Sequence, residues 1–149
     1  MLTINAALAG DKVVLRGLRE LQRDMPKALQ RTLTRAAIGT HREAFDFLGG
    51  AKEPSGAYPV PIVTGHLRRL LNWLKPGASK GEFRAGPLES IVYNSAEYSE
   101  TIHEGHGSST KYGARPYITD GFERFNRGNR LAKIAGEEIE AEARKKGFK

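Results

Sequence analysis

The residues best suited to chemistry lie in one short stretch. His103-Glu104-Gly105-His106 holds two imidazoles and a carboxylate, and Glu97 and Glu100 stand just before it. Such groups ligate zinc and transfer protons. A helical metal pair needs histidines four residues apart, however, whereas these are three apart with Gly105 between them. No third ligand is specified elsewhere, so two surface histidines at a helix end is the simpler reading. Ser108, Ser109 and Thr110 lack the turn residues of a nucleophile elbow. Neither a GxxxxGK[ST] nor a GxGxxG phosphate loop occurs. The sequence carries no enzyme signature, and neither a cofactor nor a metal is expected.

The second chemistry is charge. Arg68 and Arg69 stand near Trp73, and Lys27, Arg31, Arg35 and Arg42 punctuate a long helical segment. Such residues neutralise phosphates without reading bases. No recognition helix and no paired RNA-stacking aromatics accompany them. The expectation is charge-based contact with nucleic acid passing nearby or with an acidic protein surface. A small basic nucleic-acid-binding protein stands as the alternative reading.

Composition sets the frame. The chain has 149 residues, with 24 Lys and Arg against 17 Asp and Glu, for a net charge of +7. That length suits one domain, taken as residues 1–149. With no cysteine, a disulfide framework, a Cys-ligated zinc and a thiol nucleophile are excluded. No apolar run approaches the roughly 18 residues of a membrane span. MLTINAALAGDK has no basic leader, so no signal peptide is expected and a cytoplasmic setting is.

These groups need elements to position them. Leu2-Thr3-Ile4-Asn5 alternates and reads as a short strand. From Asp11, Val14, Leu18, Leu21 and Met25 mark one helical face. Pro26 predicts a break capped by Asp24, then a second helix to Leu48 whose stripe is Leu29, Leu33, Ala36, Ala37, Thr40, Ala44 and Leu48. Gly49-Gly50 ends it. Residues 49–63, rich in Gly and Pro, form an extended loop. Thr64 caps a helix carrying Leu67, Leu70, Leu71 and Leu74, which Pro76-Gly77 stops. Strands follow over 80–85 and 89–94, with a turn at Gly86-Pro87, and then a helix over 96–105. Residues 105–114 form a polar loop. A terminal helix from Pro116 is weakened at Arg127-Gly128-Asn129 and carries acids before bases, which suits i,i+4 pairs. Leu67, Leu71, Ile91, Tyr93 and Phe122 are the expected core.

Three segments, in this order, resemble a known family. Val63-Thr64-Gly65-His66-Leu67-Arg68-Arg69-Leu70 is similar to its TGxLRx stretch. Val92-Tyr93-Asn94-Ser95-Ala96-Glu97-Tyr98, running to Ile102-His103-Glu104-Gly105, is similar to its V-x-N…Y…E-x-G stretch. Ala114-Arg115-Pro116-Tyr117-Ile118 is similar to its ARPF(L/I) stretch, ahead of a long terminal helix. The combination resembles the tail-completion or head–tail joining (neck) proteins of long-tailed phages, often called the gene-product-ten-like family. Leu70 and Ser99 depart from it, standing where Ser and Ala are common.

The resemblance implies an α+β domain: a small, mainly antiparallel sheet packed against a long N-terminal helix and a C-terminal helix, with two extended loops. It implies a structural virion protein, forming a six-fold ring that links the tail to the head connector around the DNA path. Partners would be identical copies, a head connector or adaptor, and tail terminator or tail tube proteins, with non-specific DNA contact and no membrane. Localisation would be the virion neck, with the host cytoplasm during assembly. Loops 49–63 and 105–114 would be assembly arms, with contacts at Tyr58, Pro59, Val60, Pro61, Arg68, Arg69, His106, Lys111, Tyr112, Arg115 and Tyr117. Six copies of +7 would carry about +42, a large field beside DNA or an acidic partner.

Overall fold

The computed structural model describes residues 12–49, 65–104 and 114–148. In chain order the elements are α1 (Lys12–Phe47), α2 (His66–Leu70), β1 (Leu71–Leu74), β2 (Ser79–Lys80), β3 (Phe83–Arg84), β4 (Ile91–Asn94), α3 (Ser99–Glu104), α4 (Tyr117–Phe125) and α5 (Arg130–Lys145). This is an α+β arrangement dominated by the long helix α1. The strand expected at Leu2–Asn5, the cap at Thr64 and most of the two expected loops lie outside the described residues.

α1 runs unbroken through Pro26, so the expected break is absent. Proline removes one backbone hydrogen bond and costs about 3 kcal/mol in a helix interior. The C-terminal helices splint the weak point. α4 and α5 run antiparallel to α1 along its length. Gly121 meets Ala44, Phe125 meets Gly39 and Phe148 meets Gly17. Arg31 pairs with Glu138 and Glu142 on one side of the proline, and Lys146 with Asp24 on the other. Asp24 therefore serves as a buried anchor within the helix and not as a cap.

The contact is close because α1 is narrow there. Asp24, Ala28, Thr32, Ala36, Thr40 and Ala44 stand four apart, and all are buried. Spacing of four follows one ridge of a helix. A Cβ on Gly121 would lie 2.8 Å from the Ala44 nitrogen, and one on Gly39 would overlap the Phe125 ring. The weakening expected near residue 128 is a true break. Gly128 and Asn129 take positive φ (68° and 57°), and the Asn126 side chain accepts a hydrogen bond from the Leu131 N–H at 3.0 Å. α5 ends at Lys145, and Gly147 just beyond it takes φ 85°. There the Gly147 and Phe148 N–H groups bond back to the Arg144 and Ala143 carbonyls. That αL closure aims Phe148 at Gly17.

The expected helix over residues 65–75 is half helix, half strand. α2 stops at Leu70, whose carbonyl takes the Ser95 N–H at 3.3 Å. In a continuing helix that carbonyl would take the Leu74 N–H. Leu71–Leu74 pairs antiparallel with Ile91–Asn94, Leu71 opposite Asn94 and Leu74 opposite Ile91. Leu71 and Leu74 suit one helical face as readily as two opposite sheet faces, so spacing could not separate the two. As a strand, Leu71 packs with Ala44, Phe47, Leu48, Leu67, Ala96 and Tyr117. Leu74 packs on the other side with Tyr93 and Ala85. The expected strand 80–85 is a tight hairpin instead, β2 pairing β3. Its turn is at Gly81, φ 60°, and Phe83 stacks on Tyr93 with centroids 4.0 Å apart.

The core differs from expectation at two places. Leu67, Leu71 and Tyr93 are buried and Ile91 is half-buried against the Leu74–Tyr93 cluster, but Phe122 is 40 % exposed and Leu29 36 % exposed. Phe122 sits one residue off the Tyr117–Gly121–Phe125 line that meets α1, and Phe125 does the packing expected of it.

Two glycine variants separate close packing from propensity. Gly121→Ala is expected to destabilise by about 2–3 kcal/mol, because backbone of α1 must yield. Gly136→Ala, in α5 with open space around it, is expected to stabilise by about 0.5–1 kcal/mol. Pro26→Ala is expected to stabilise by roughly 1–3 kcal/mol by restoring the missing bond. Denaturant titration of each variant measures all three.

Candidate assembly surfaces

The three family-like segments meet in one corner, and Asn94 holds them. Its amide Nδ2 donates to the Leu67 carbonyl at 2.9 Å, and its Oδ1 accepts the Ala96 N–H at 3.0 Å. The Asn94 carbonyl accepts the Ser99 hydroxyl at 3.2 Å. The Arg115 N–H then donates to the Ile102 carbonyl at 3.0 Å. Leu67, Ala96 and Tyr117 share a single cluster, with Val92, Ile102 and Ile118 against it. Buried amide groups need such partners, because an unmade bond costs about 1–3 kcal/mol.

Several expected contact residues have structural work here. Tyr117 is fully buried, so it belongs to the core and not to the surface expected of an assembly contact. Burial pushes its phenol up to about 12, with Asn94 opposing the shift. Arg115 is also buried. Arg68 is half-buried, its guanidinium 4.0 Å from the Phe45 ring centroid. Arg69 is exposed on α2. Tyr58, Pro59, Val60, Pro61, His106, Lys111 and Tyr112 lie outside the described residues.

His103 lies 3.5 Å from the Thr119 hydroxyl and edge-on to Tyr117. Among the described residues, no cluster of three or more His, Asp or Glu could hold a metal. Likewise no described helix is long and apolar enough to cross a membrane.

The charges of α1 that face α5, Asp24, Arg31 and Arg35, are all paired. Asp24 accepts from Lys146 at 2.9 Å, Lys27 at 3.2 Å and Arg23 at 3.4 Å. These hydrogen bonds, Lys146 first, hold its carboxyl well below the usual range. Arg31 binds Glu138 at 2.7 Å and also Glu142, and Arg35 binds Glu137 and Glu138 at 3.1 Å each. Glu138 is lowered by Arg31 first, and Glu142 by Lys145 and then Arg31. Of the expected i,i+4 pairs, Glu140–Arg144 is present at 2.6 Å. Glu138 and Glu142 instead reach across to α1, a pairing that spacing within α5 could not reveal. The exposed apolar side chains were also missed: Leu15, Leu18 and Leu29 on α1, with Tyr98 and Phe122 at the other end. Leu18 and Leu29 did fall on the apolar stripes read from the sequence. What the sequence lacked was whether anything in the same chain covers them.

The pH consequence has a definite sign. Asp24, Glu138 and Glu142 have lowered folded-state pKa values. Their stabilisation is complete above the ordinary carboxylate range and is lost as pH falls below about 4. Tyr117, raised to about 12, stabilises below about 10 and loses that contribution as pH rises through 12. Thermal melts are therefore expected to fall steeply on the acid side for the natural chain. Asp24→Asn should show a lower plateau and a shallower acid limb, and Tyr117→Phe should lose part of the alkaline limb.

A comparison with family models, curated proteins and solved structures finds no match to this chain.

Proposed function

We propose that this protein is a structural component of a tailed-phage neck, a tail-completion or head–tail joining subunit that works as a ring. It performs no catalysis in that role. The observation that carries this reading is the convergence of the three family-like segments around Asn94. Segments separated in sequence pack as one module, which is what a family signature would preserve. The rest of the fold suits assembly. A spine about 54 Å long, 36 residues at 1.5 Å each, offers reach that a catalytic pocket does not need. Exposed large apolar side chains at both its ends suit burial between subunits.

A second reading has its own observation. Between Arg124 and Gly136 the chain carries Arg124, Arg127, Arg130 and Lys133 and no acid, at the break between α4 and α5. Such a turn can neutralise phosphates. In a ring the same residues can face the DNA path, so the two readings differ in what binds first.

Light scattering and electron microscopy of the purified protein separate them. The neck reading expects closed rings, alone or on mixing with a head connector. A monomer under both conditions overturns it. Fluorescence anisotropy with duplex DNA is expected to show weak, sequence-independent binding that falls steeply with salt. Tight sequence-dependent binding at physiological salt would favour the alternative.

A further inference from the structure

The two ends of α1 present surfaces of opposite chemistry. On the N-terminal half, Leu15, Arg19, Arg23 and Lys27 form one row with spacing four, and Leu18 and Leu29 stand three turns apart on a neighbouring line. Leu15, Leu18 and Leu29 are 36 %, 38 % and 36 % exposed, and Arg19, Arg23 and Lys27 are exposed beside them. This half has two acids: Glu20 pairs with Arg16 at 3.1 Å, and the buried Asp24 takes Lys146, just past α5, together with Arg23 and Lys27, so the bases outnumber the acids and Arg19 stands outside these pairs. What remains outward is apolar and basic.

The far end carries exposed acids and aromatics, with Arg69 of α2 exposed beside them. Glu97, Glu100 and Glu104 are exposed, with Tyr98 42 % exposed among them. No Lys or Arg lies between Ser95 and Glu104. α4 adjoins α3 through His103–Thr119 and through Ile102 and Ile118. Phe122 and Glu123, one turn beyond Ile118 and Thr119, continue this face and are exposed.

We infer that the basic leucine row of one subunit docks on the acidic, aromatic α3–α4 face of an identical subunit. This rests on the ring reading and names the surfaces that would build it. Charge complementarity chooses the occupant. Each surface also supplies the large apolar side chains that the other lacks a partner for. The two lie roughly 30 Å apart along α1, from near residue 22 to Ala44, so they cannot meet within one chain. They are unlike one another, so the contact is head-to-tail and propagates until it closes into a ring.

Reciprocal charge reversal tests the contact. Two variants are made, Arg19→Glu, and Glu97→Arg with Glu100→Arg. All three positions are exposed, and circular dichroism with thermal melting checks that each variant folds. Sedimentation velocity then reads assembly. The natural chain is expected to oligomerise, and each variant alone to be at least tenfold weaker. An equimolar mixture, in which every surface again meets its opposite charge, should recover assembly. If the natural chain assembles and both folded variants assemble equally well, these surfaces are the wrong ones and the ring reading stands. If variants weaken but the mixture fails to recover, direct pairing of the two faces is overturned. If the natural chain stays monomeric, alone and with a head connector, the ring reading falls and this contact falls with it.

Discussion

The fold depends on the close approach of α4 and α5 to one side of α1. That approach requires short residues along a single ridge, from Asp24 through Ala28, Thr32, Ala36 and Thr40 to Ala44. It also requires glycine at position 39, where the aromatic ring of Phe125 presses in, and at position 121, where the backbone of α1 does. Given this contact, the other departures from local preference are tolerable. A proline sits in the helix interior because its neighbours on both sides are fastened to α5. Carboxylates sit in the interface because each has a guanidinium or ammonium within reach. Each has two or three such partners, and a carboxylate buried without them would cost far more than an exposed pair such as Arg16–Glu20 contributes.

The same contact explains why apolar surface remains uncovered. A ridge of spacing four drifts around a helix of 3.6 residues per turn. At the C-terminal half of α1 it coincides with the apolar stripe, and Ala44, Phe47 and Leu48 disappear into the core. Toward the N-terminus it turns away from that stripe, and α5 meets Asp24 and Arg31 instead of leucines. Leu15, Leu18 and Leu29 are left outside because the helix they belong to is held by its charged side.

How far the sequence could be read follows from this geometry. The α+β class, the long helix, the break near Gly128 and the end near Gly49 were all legible, since glycine and helical periodicity act locally. The continuity through Pro26 was not, because its support comes from residues more than 100 positions away. Leu71–Leu74 misled for a different reason: two leucines three apart satisfy a helix and a two-faced strand alike, and the deciding bond belongs to Ser95. Of the candidate contact residues, Arg69 is exposed on α2. Tyr117 is core because Asn94 and the cluster around Leu67 close over it.

The net charge acquires a direction from the same packing. An excess of seven positive charges spread evenly would only keep subunits apart. Here Glu138 and Glu142 of α5 are turned toward α1 and paired there, while Glu97, Glu100, Glu104 and Glu123 stay exposed. That leaves a basic, leucine-bearing row at one end of the spine and exposed glutamates and aromatics on α3 and α4 at the other. Repulsion between like ends then disfavours symmetric pairing, and attraction between unlike ends favours a repeating contact. In the ring proposed above, an unmatched positive excess would accumulate with every subunit added. That residual charge would grow in proportion to the ring and need a polyanion or an acidic neighbour to offset it, which makes a DNA path a compatible surrounding for the proposed assembly.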